Sequence, residues 1–206
     1  MKKIIKYALC ISVALYATQA FGIDNLKIYQ GERGSVLLID SDVKKTLMIA
    51  GGADPRGAAT AGDCFIKTIL SLNKLPNYYE GNLEPINNDL INITSKDVAG
   101  KGVGIYLYAN KLRVGGVDTE GICADGIDFS GEYREISERN AKYKSIFLYF
   151  MRLSSQNAVF LKKHGDTASA IRELKPILEW CEKERITFCH GEIVDVIERN
   201  YLKLNR

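Results

Sequence analysis

Hydrophobic and polar positions alternate along the first part of the chain in a way that predicts short β-strands. The runs 26–30 (LKIYQ), 35–40 (SVLLID) and 46–50 (TLMIA) are apolar, and the polar segments GERG and SDVKK separate them. Short apolar runs bounded by turn-forming residues are typical of strands that are joined by hairpins. The pattern therefore predicts an antiparallel β-meander in this part of the chain.

Two further segments differ from each other in the spacing of their apolar residues. Residues 102–117, GVGIYLYANKLRVGGV, predict a β-hairpin that turns at Asn110 and Lys111. Residues 63–73, DCFIKTILSLN, instead place apolar side chains at helical spacing, at Phe65, Ile69 and Leu72. Because Asp63 is also suited to cap the first turn, this spacing predicts an α-helix.

The last third of the chain is predicted to be mainly helical. Residues 137–163 carry an apolar helical stripe, formed by Tyr143, Phe147, Phe150, Leu153, Ala158 and Leu161. The β-prone run SIFLYF and the turn-like LSSQN leave a hairpin as the alternative for this segment. Residues 166–184 predict a second helix, capped by Asp166 and containing Pro176, and 191–204 predict a third.

Early strands and late helices together predict the fold class. We expect an α+β domain in which an N-terminal antiparallel β-meander and hairpin pack with C-terminal helices. No internal repeat or linker divides the chain, so one domain is expected.

The N-terminus has the three parts of a secretory signal peptide. The basic MKKIIK precedes the uncharged apolar run YALCISVALYA and the small residues of TQAFG. This apolar run is shorter than the about 20 residues that a membrane-spanning helix needs. We therefore expect removal of residues 1–20, which leaves a mature domain over 21–206 in the periplasm or outside the cell.

Removal of the signal peptide also changes the net charge. The whole chain has 28 basic and 25 acidic side chains, and three of the lysines but no acid lie in residues 1–20, which leaves 25 of each. Nucleic-acid binding and docking to anionic membranes both require an excess of Lys and Arg, so neither partner is expected. GGADPRGAATAG, residues 51–62, matches neither the P-loop nor the dinucleotide fingerprint, and no cofactor is expected.

Four cysteines remain in the mature chain: Cys64, Cys123, Cys181 and Cys189. An even number of cysteines in an exported chain predicts disulfide bonds. Among the three possible connectivities we favour Cys181–Cys189, which closes a short loop, with Cys64–Cys123 as the long-range bond. The chain lacks the CxxC-like pairs of zinc sites, so no metal is expected.

The acids of CADGIDFSGEY, residues 123–133, are the first candidates for chemistry. On a strand, Asp128, Ser130 and Glu132 point to one side. A row of this kind can hold a glutamic acid whose pKa is raised by neighbouring carboxylates, which suits that acid to protonate a glycosidic oxygen. DGIDFSGEY resembles the DGxDxDxE motif of family-18 glycoside hydrolases, and LMIAGG is similar to the family's SxGG strand. The resemblance implies that Glu132 is the acid and that position 130 orients the substrate's acetamide, although Ser130 replaces the family's aspartate.

The alternative for this segment is a glycine-rich turn that leads into a half-exposed strand. The chain is also short for the eight-stranded β/α barrel of that family. We therefore favour no catalytic residue, and Asp125, Asp128 and Glu132 stay as the candidates of the hydrolase alternative.

Cys64 is the second candidate, because GDCF places it at the start of a predicted helix, where the helix dipole lowers the pKa of a thiol. GKGVGIYLYANK is similar to the strand that follows the catalytic cysteine in papain-like cell-wall peptidases. The resemblance implies that Cys64 is a nucleophile. That family opens the strand with a histidine base, whereas this segment has Lys101, and a thiol needs a base. A disulfide is therefore the favoured role of Cys64.

The histidines, His164 and His190, each stand in a His-Gly-acid pattern, KHGD and CHGE. One hypothesis is a metal or acid–base pair. The other is that each pattern marks the entry to a helix, with the acid near its positive end. We favour helix entry, because two histidines without a third ligand make a weak metal site.

LPNYYEGNLEP places Tyr78 and Tyr79 in a polar loop. Exposed tyrosines are frequent at interface hot spots, and the alternative is that both rings fold back onto the core. The sequence favours an exported protein-binding module, such as an inhibitor or an immunity protein against an envelope-targeting toxin, with another envelope or secreted protein as its partner. The alternative is an envelope glycan or peptidoglycan hydrolase that uses Glu132 or Cys64.

Overall fold

The computed structural model describes residues 23–41, 44–51, 64–87 and 91–184. Ten strands and two helices lie within these ranges: β1 (Ile23–Gly31), β2 (Gly34–Ser41), β3 (Lys45–Gly51), β4 (Cys64–Leu72), β5 (Tyr78–Asn82), β6 (Ile86–Asn87), β7 (Asn92–Ile93), β8 (Gly102–Leu107), β9 (Lys111–Val117), β10 (Gly131–Ile136), α1 (Tyr143–Lys163) and α2 (Thr167–Glu184). Neither of these helices has the length and apolar character that crossing a membrane would require. The predicted signal peptide and most of the loop at 51–62 lie outside the described residues.

Eight of the strands close into one antiparallel barrel. Their order around the ring is β1, β10, β9, β8, β5, β4, β3, β2, and β1 pairs with β10 from Ile28–Ile136 to Gln30–Arg134. β6 and β7 form a separate two-stranded sheet. The predicted early strands and the hairpin are therefore present, and the α+β class is confirmed. Closure of meander and hairpin into one barrel, which gives every strand of the ring two bonded neighbours, was not predicted.

The strands on one side of the barrel are buried on both faces. In β2, Val36 and Leu38 point into the barrel, whereas Leu37 and Ile39 point outward against the helices, and all four are buried. This double burial explains why SVLLID is continuously apolar. The outer faces of β5, β8 and β9 carry exposed or half-buried residues instead. α1 contacts β1 and β2, and α2 contacts β1. One side of the barrel is therefore left uncovered by the helices.

The helix that was predicted over 63–73 is wrong, because this segment forms β4. The three residues assigned to one helical face lie in different environments. Phe65 packs in the buried cluster between the barrel and the helices, Ile69 faces the outer side of the barrel, and Leu72 is exposed. A complete ladder with β3 and alternating burial inside the barrel override the local helical spacing. Asp63, the expected cap, lies outside the described residues.

Both described helices agree with the sequence. α1 occupies most of 137–163, so the helix is confirmed over the hairpin, and its predicted apolar stripe is buried or half-buried. α2 contains Pro176, as predicted. The two helices pack against each other through aromatic rings, with the centroids of Phe147 and Trp180 5.4 Å apart. The helix predicted over 191–204 lies outside the described residues.

Candidate functional site

A disulfide bond joins Cys64, at the start of β4, to Cys123, in the connection between β9 and β10. Their Cα atoms are 5.6 Å apart, and 59 residues separate them in the sequence, so the favoured long-range pairing is confirmed. Cys64 begins a strand and not a helix, and its oxidised sulfur is no nucleophile. Cys181 is also disulfide-bonded, and its favoured partner Cys189 lies outside the described residues.

The connection between β9 and β10, residues 118–130, closes one end of the barrel, and we call it the plug. Ile127 and Phe129 are buried among the side chains of the barrel interior, next to Tyr133. The Tyr133 hydroxyl donates a hydrogen bond to the Phe129 carbonyl oxygen over 2.8 Å. Since the disulfide ties the plug to β4, the bond also holds these apolar side chains over the end of the barrel.

Asp125 and Asp128 lie in the turn of the plug. Asp125 is exposed. Asp128 accepts a hydrogen bond from the Ser130 amide over 2.8 Å, and its carboxylate lies 3.5 Å from the Arg33 guanidinium. Burial alone would raise the pKa of Asp128, but the hydrogen bonds from Ser130 and the charge of Arg33 lower it overall. This ionised, already bonded carboxylate stabilises an Asx-type turn.

Glu132 lies on the outer side of β10 in a cross-strand ion pair. Its carboxylate is 3.0 Å from the Lys111 ammonium of β9 and 3.7 Å from Arg134 Nε. The hydrogen bond from Lys111 and the charge of Lys111 lower the pKa of Glu132, and Arg134 adds to the effect. A general acid needs the opposite shift, because it must keep its proton near neutral pH. The geometry therefore suits Glu132 to pairing the strands and not to proton donation.

We expect the pKa of Glu132, measured by NMR of its carboxyl carbon, to lie below the ordinary value of 4.5. Lys111→Met removes the main cause, so the pKa should rise back toward that value. The control is Lys101→Met, which removes an ion pair with Asp118 elsewhere and should leave the pKa unchanged. A pKa of about 6 or higher would return Glu132 to the list of catalytic acids.

His164 follows α1 and belongs to the turn between the helices. Its Nδ1 lies 2.9 Å from the Phe160 carbonyl oxygen, and its ring stacks on that of Phe160. Asp166 accepts a hydrogen bond from the Ser169 amide over 3.0 Å, as an N-cap does. KHGD is therefore a helix entry, whereas His190 lies outside the described residues. Within the described ranges, no three His, Cys, Asp or Glu side chains converge to hold a metal ion.

Tyr78 and Tyr79 were predicted in a polar loop, which is wrong, because they begin β5 and lie on its opposite faces. The ring of Tyr78 packs on the outer face against Tyr106 of β8, with centroids 4.9 Å apart. Its hydroxyl lies over Gly104, where an added Cβ would come within 2.3 Å, so any side chain there would displace Tyr78. Tyr79 packs toward the barrel interior, with the Lys45 ammonium 5.6 Å from its ring centroid. Only Tyr78 faces the side that the helices leave uncovered.

A groove of about 720 Å³ lies on this uncovered side, across β4, β5 and β8, and we call it the β5 groove. Glycines form much of its floor: Gly81, Gly102 and Gly104. Its polar and aromatic lining comes from Ser71, Tyr78, Glu80, Asn82 and Glu84. Glycine inside a strand is typical of places where a ligand or another backbone approaches closely. The sequence contained these glycines, but only the pairing of β5 with β8 brings Gly102 and Gly104 opposite Asn82 and Glu80 on the outer face.

Three large apolar side chains are exposed at the tips of two neighbouring hairpins. Leu72 and Leu75 belong to the β4–β5 hairpin, and Tyr108 belongs to the β8–β9 hairpin. The Leu107 amide donates a hydrogen bond to the Asn77 carbonyl oxygen over 2.8 Å, which holds the two tips together. We call Leu72, Leu75 and Tyr108 the hairpin-tip surface. The sequence missed it, because Leu72 was assigned to a helix and the two tips are far apart in the chain.

A buried ion pair joins the barrel to α2. Lys67 of β4 pairs with Glu173 of α2, and its ammonium lies 3.2 Å from a carboxylate oxygen of Glu84. The side chains of Lys67 and Glu173 are 12% and 5% exposed. Burial alone would lower the pKa of Lys67, but the two carboxylates raise it above its ordinary value overall. This pair was also missed, because its partners lie 106 residues apart.

The candidate residues from the sequence therefore have contacts that explain them by structure, and the remaining open surface features lie elsewhere. The plug contains Asp125, Asp128 and Cys123, Glu132 lies in an ion pair on β10, and the disulfide occupies Cys64. The β5 groove and the hairpin-tip surface stand next to each other on the uncovered side of the barrel. No model of a known protein family, no curated protein and no solved structure matches this chain.

Proposed function

We propose that this chain is a protein-binding module whose hairpin-tip surface contacts the partner. The observation that carries the proposal is the exposure of Leu72 (66%), Leu75 (53%) and Tyr108 (42%) on adjacent turns. Grouped exposed apolar side chains mark interaction sites more often than single ones do. Complete burial of one such side chain against a partner contributes about 2 kcal/mol.

The barrel holds the backbone of this surface rigidly, so little conformational entropy is lost there on binding. The β4–β5 ladder reaches the tip at Leu72–Tyr79, and the β8–β9 ladder reaches it at Leu107–Leu112. Because the two tips are also hydrogen-bonded to each other, the backbone that carries the apolar side chains is held in a fixed arrangement. A preorganised surface loses less conformational entropy on association, which favours binding.

The periplasm or the extracellular space is the proposed location. The signal-peptide pattern of residues 1–20 supports export, and the Cys64–Cys123 bond suits an oxidising compartment. The specific form that we propose is an inhibitor or an immunity protein against an envelope-targeting toxin. The ion-paired Glu132 and the oxidised Cys64 argue against the hydrolase alternative.

The test compares the wild-type protein with the double variant Leu75→Ser/Tyr108→Ser. Each is used to capture envelope and secreted proteins, and the affinity for a captured, purified partner is then measured by calorimetry. We expect the double variant to weaken binding by at least about tenfold, because anchors of this kind contribute more than about 1.4 kcal/mol.

Tyr149→Ser is the matched control, because Tyr149 is also an exposed large apolar residue but lies on α1. It should leave the affinity unchanged. Equal binding by the double variant, or equal weakening by Tyr149→Ser, would contradict the proposal. Cleavage of chitooligosaccharides or peptidoglycan that Glu132→Gln abolishes would favour the hydrolase instead.

A further inference from the structure

The charged groups that line the β5 groove are both carboxylates, Glu80 and Glu84. Glu84 shares the ammonium of Lys67 with Glu173, so one cation serves two carboxylates. Glu80 forms no salt bridge with any other residue in the described part of the chain. These groups leave the groove with an excess of negative charge, which attracts a cation.

The remaining lining of the groove suits a flat cation. Tyr78 stands as an aromatic wall against Tyr106, and Asn82 adds an amide oxygen that accepts hydrogen bonds. Gly102 has no side chain over its backbone beside Glu80 and Asn82, so a planar group has room to lie against the strand there. Arginine fits these three features together, because its guanidinium is planar, only donates hydrogen bonds, and stacks on aromatic rings.

The groove begins next to the hairpin-tip surface. The Tyr78 amide donates a hydrogen bond over 3.2 Å to the carbonyl oxygen of Leu75, so the groove wall and an exposed apolar tip share one tight turn. A partner segment that covers Leu75 therefore passes the mouth of the groove. Tyr and Arg anchors beside apolar contacts are common at the centres of protein interfaces.

We propose that the β5 groove receives an arginine side chain of the protein partner, between the ring of Tyr78 and the carboxylate of Glu80. The proposal rests on the proposed function, because the partner supplies the side chain. Beyond that function, it specifies what the partner presents to the groove: a basic side chain that lies next to an apolar contact. The guanidinium then donates to Glu80 and Asn82 and stacks on Tyr78.

The test needs no natural partner. A blocked five-residue peptide with one arginine between glycines is titrated into the whole protein at low ionic strength, and backbone amide signals are followed by NMR. We expect the largest shifts at Gly81, Gly102 and Gly104, which line the groove. The same peptide with citrulline, which has the shape of arginine without its charge, should bind at least about tenfold more weakly, since it loses the charge-assisted bonds.

Two variants locate the binding. Glu80→Gln should weaken arginine-peptide binding by about tenfold, because one charge-assisted hydrogen bond is lost. Tyr78→Leu keeps an apolar cover over Gly104 but removes the aromatic face, and it should weaken binding less, by about threefold. Glu138→Gln removes an exposed carboxylate outside the groove and is the matched control, with no expected change. Unaltered thermal unfolding of each variant shows that the fold is kept.

Three outcomes would overturn the proposal: equal binding of the citrulline peptide, unchanged binding by Glu80→Gln, or equal weakening by Glu138→Gln. Larger shifts with a neutral oligosaccharide than with the arginine peptide would also overturn it. These results leave the proposed function standing, because that function is tested by partner capture with the hairpin-tip variants. Conversely, if the hairpin-tip variants captured the partner as well as the wild type does, the proposed function would fail, whereas the arginine-peptide titration would still report on the groove.

Discussion

The double substitution Cys64→Ala/Cys123→Ala should lower the free energy of unfolding by about 4 kcal/mol, because the bond closes a loop of about 60 residues. The physical reason is that the bond restricts the unfolded chain, whose loop-closure entropy would otherwise favour unfolding. In the folded state the bond also holds the plug over the barrel end, where Ile127 and Phe129 are buried. Urea unfolding followed by tryptophan fluorescence measures the change.

The double variant is preferable to chemical reduction, because Cys181 is disulfide-bonded as well and a reductant breaks both bonds. Limited proteolysis adds a local measurement, since cleavage within the plug should become faster in the variant. A control that keeps the bond, Ile122→Ala, removes one half-buried plug side chain and should cost much less stability. A loss of under about 1 kcal/mol in the double variant would show that the plug stays closed without the bond.

Lys67→Met should lower the free energy of unfolding by about 3–5 kcal/mol, because it leaves the carboxylate of Glu173 buried without its cation. Since the pKa of Lys67 lies above its ordinary value of 10.5, this contribution is fully present below that pH. It is lost as the pH rises through the higher pKa of the folded protein. The difference between wild type and Lys67→Met should therefore shrink in strongly alkaline buffer. Urea unfolding at neutral and alkaline pH measures it.

Two further variants distinguish the cost of burying an unpaired charge from the cost of losing an ordinary contact. The double variant Lys67→Met/Glu173→Leu removes both charges and should recover most of the stability, because an apolar pair avoids the desolvation cost. Lys175→Met breaks the exposed pair with Glu179, which spans 3.6 Å on the same helix, and should cost less than about 0.5 kcal/mol. If Lys67→Met cost no more than Lys175→Met, the ion pair would not hold α2 to the barrel.

Where the buried residues follow the spacing of apolar residues within one segment, the sequence was sufficient to predict the strand or helix. The three early strands and the hairpin at 102–117 are present because each carries its own apolar residues and turn-forming ends. The α1 stripe is buried because helical spacing brings its members to one face. The Cys64–Cys123 pairing was also predicted correctly. Pairing Cys181 with the nearby Cys189 leaves Cys64 and Cys123 as the remaining pair.

β4 shows where local spacing fails. Phe65, Ile69 and Leu72 satisfy a helical period, yet the segment pairs with β3 and splits these side chains between different surroundings. Pairing with β3 at seven positions and burial inside a barrel outweigh a propensity difference of about 1 kcal/mol. The candidate chemistry failed for a related reason. Glu132 has the spacing of an acid, but its charge state depends on Lys111, which only strand pairing brings to it.

The sequence by itself determined the local elements, the even set of cysteines and the pattern for export. The tertiary structure alone decided that the strands close into a barrel, that helices cover one side, and that plug and disulfide close one end. It also decided the long-range contacts on which the proposals and the stability predictions rest. The hairpin-tip surface, the β5 groove and the Lys67–Glu173 pair each combine residues that are distant in the chain. The local spacing of apolar residues indicates which face of a strand or helix is buried. Which other element covers that face, or whether any element covers it, depends on packing between residues that are distant in the chain.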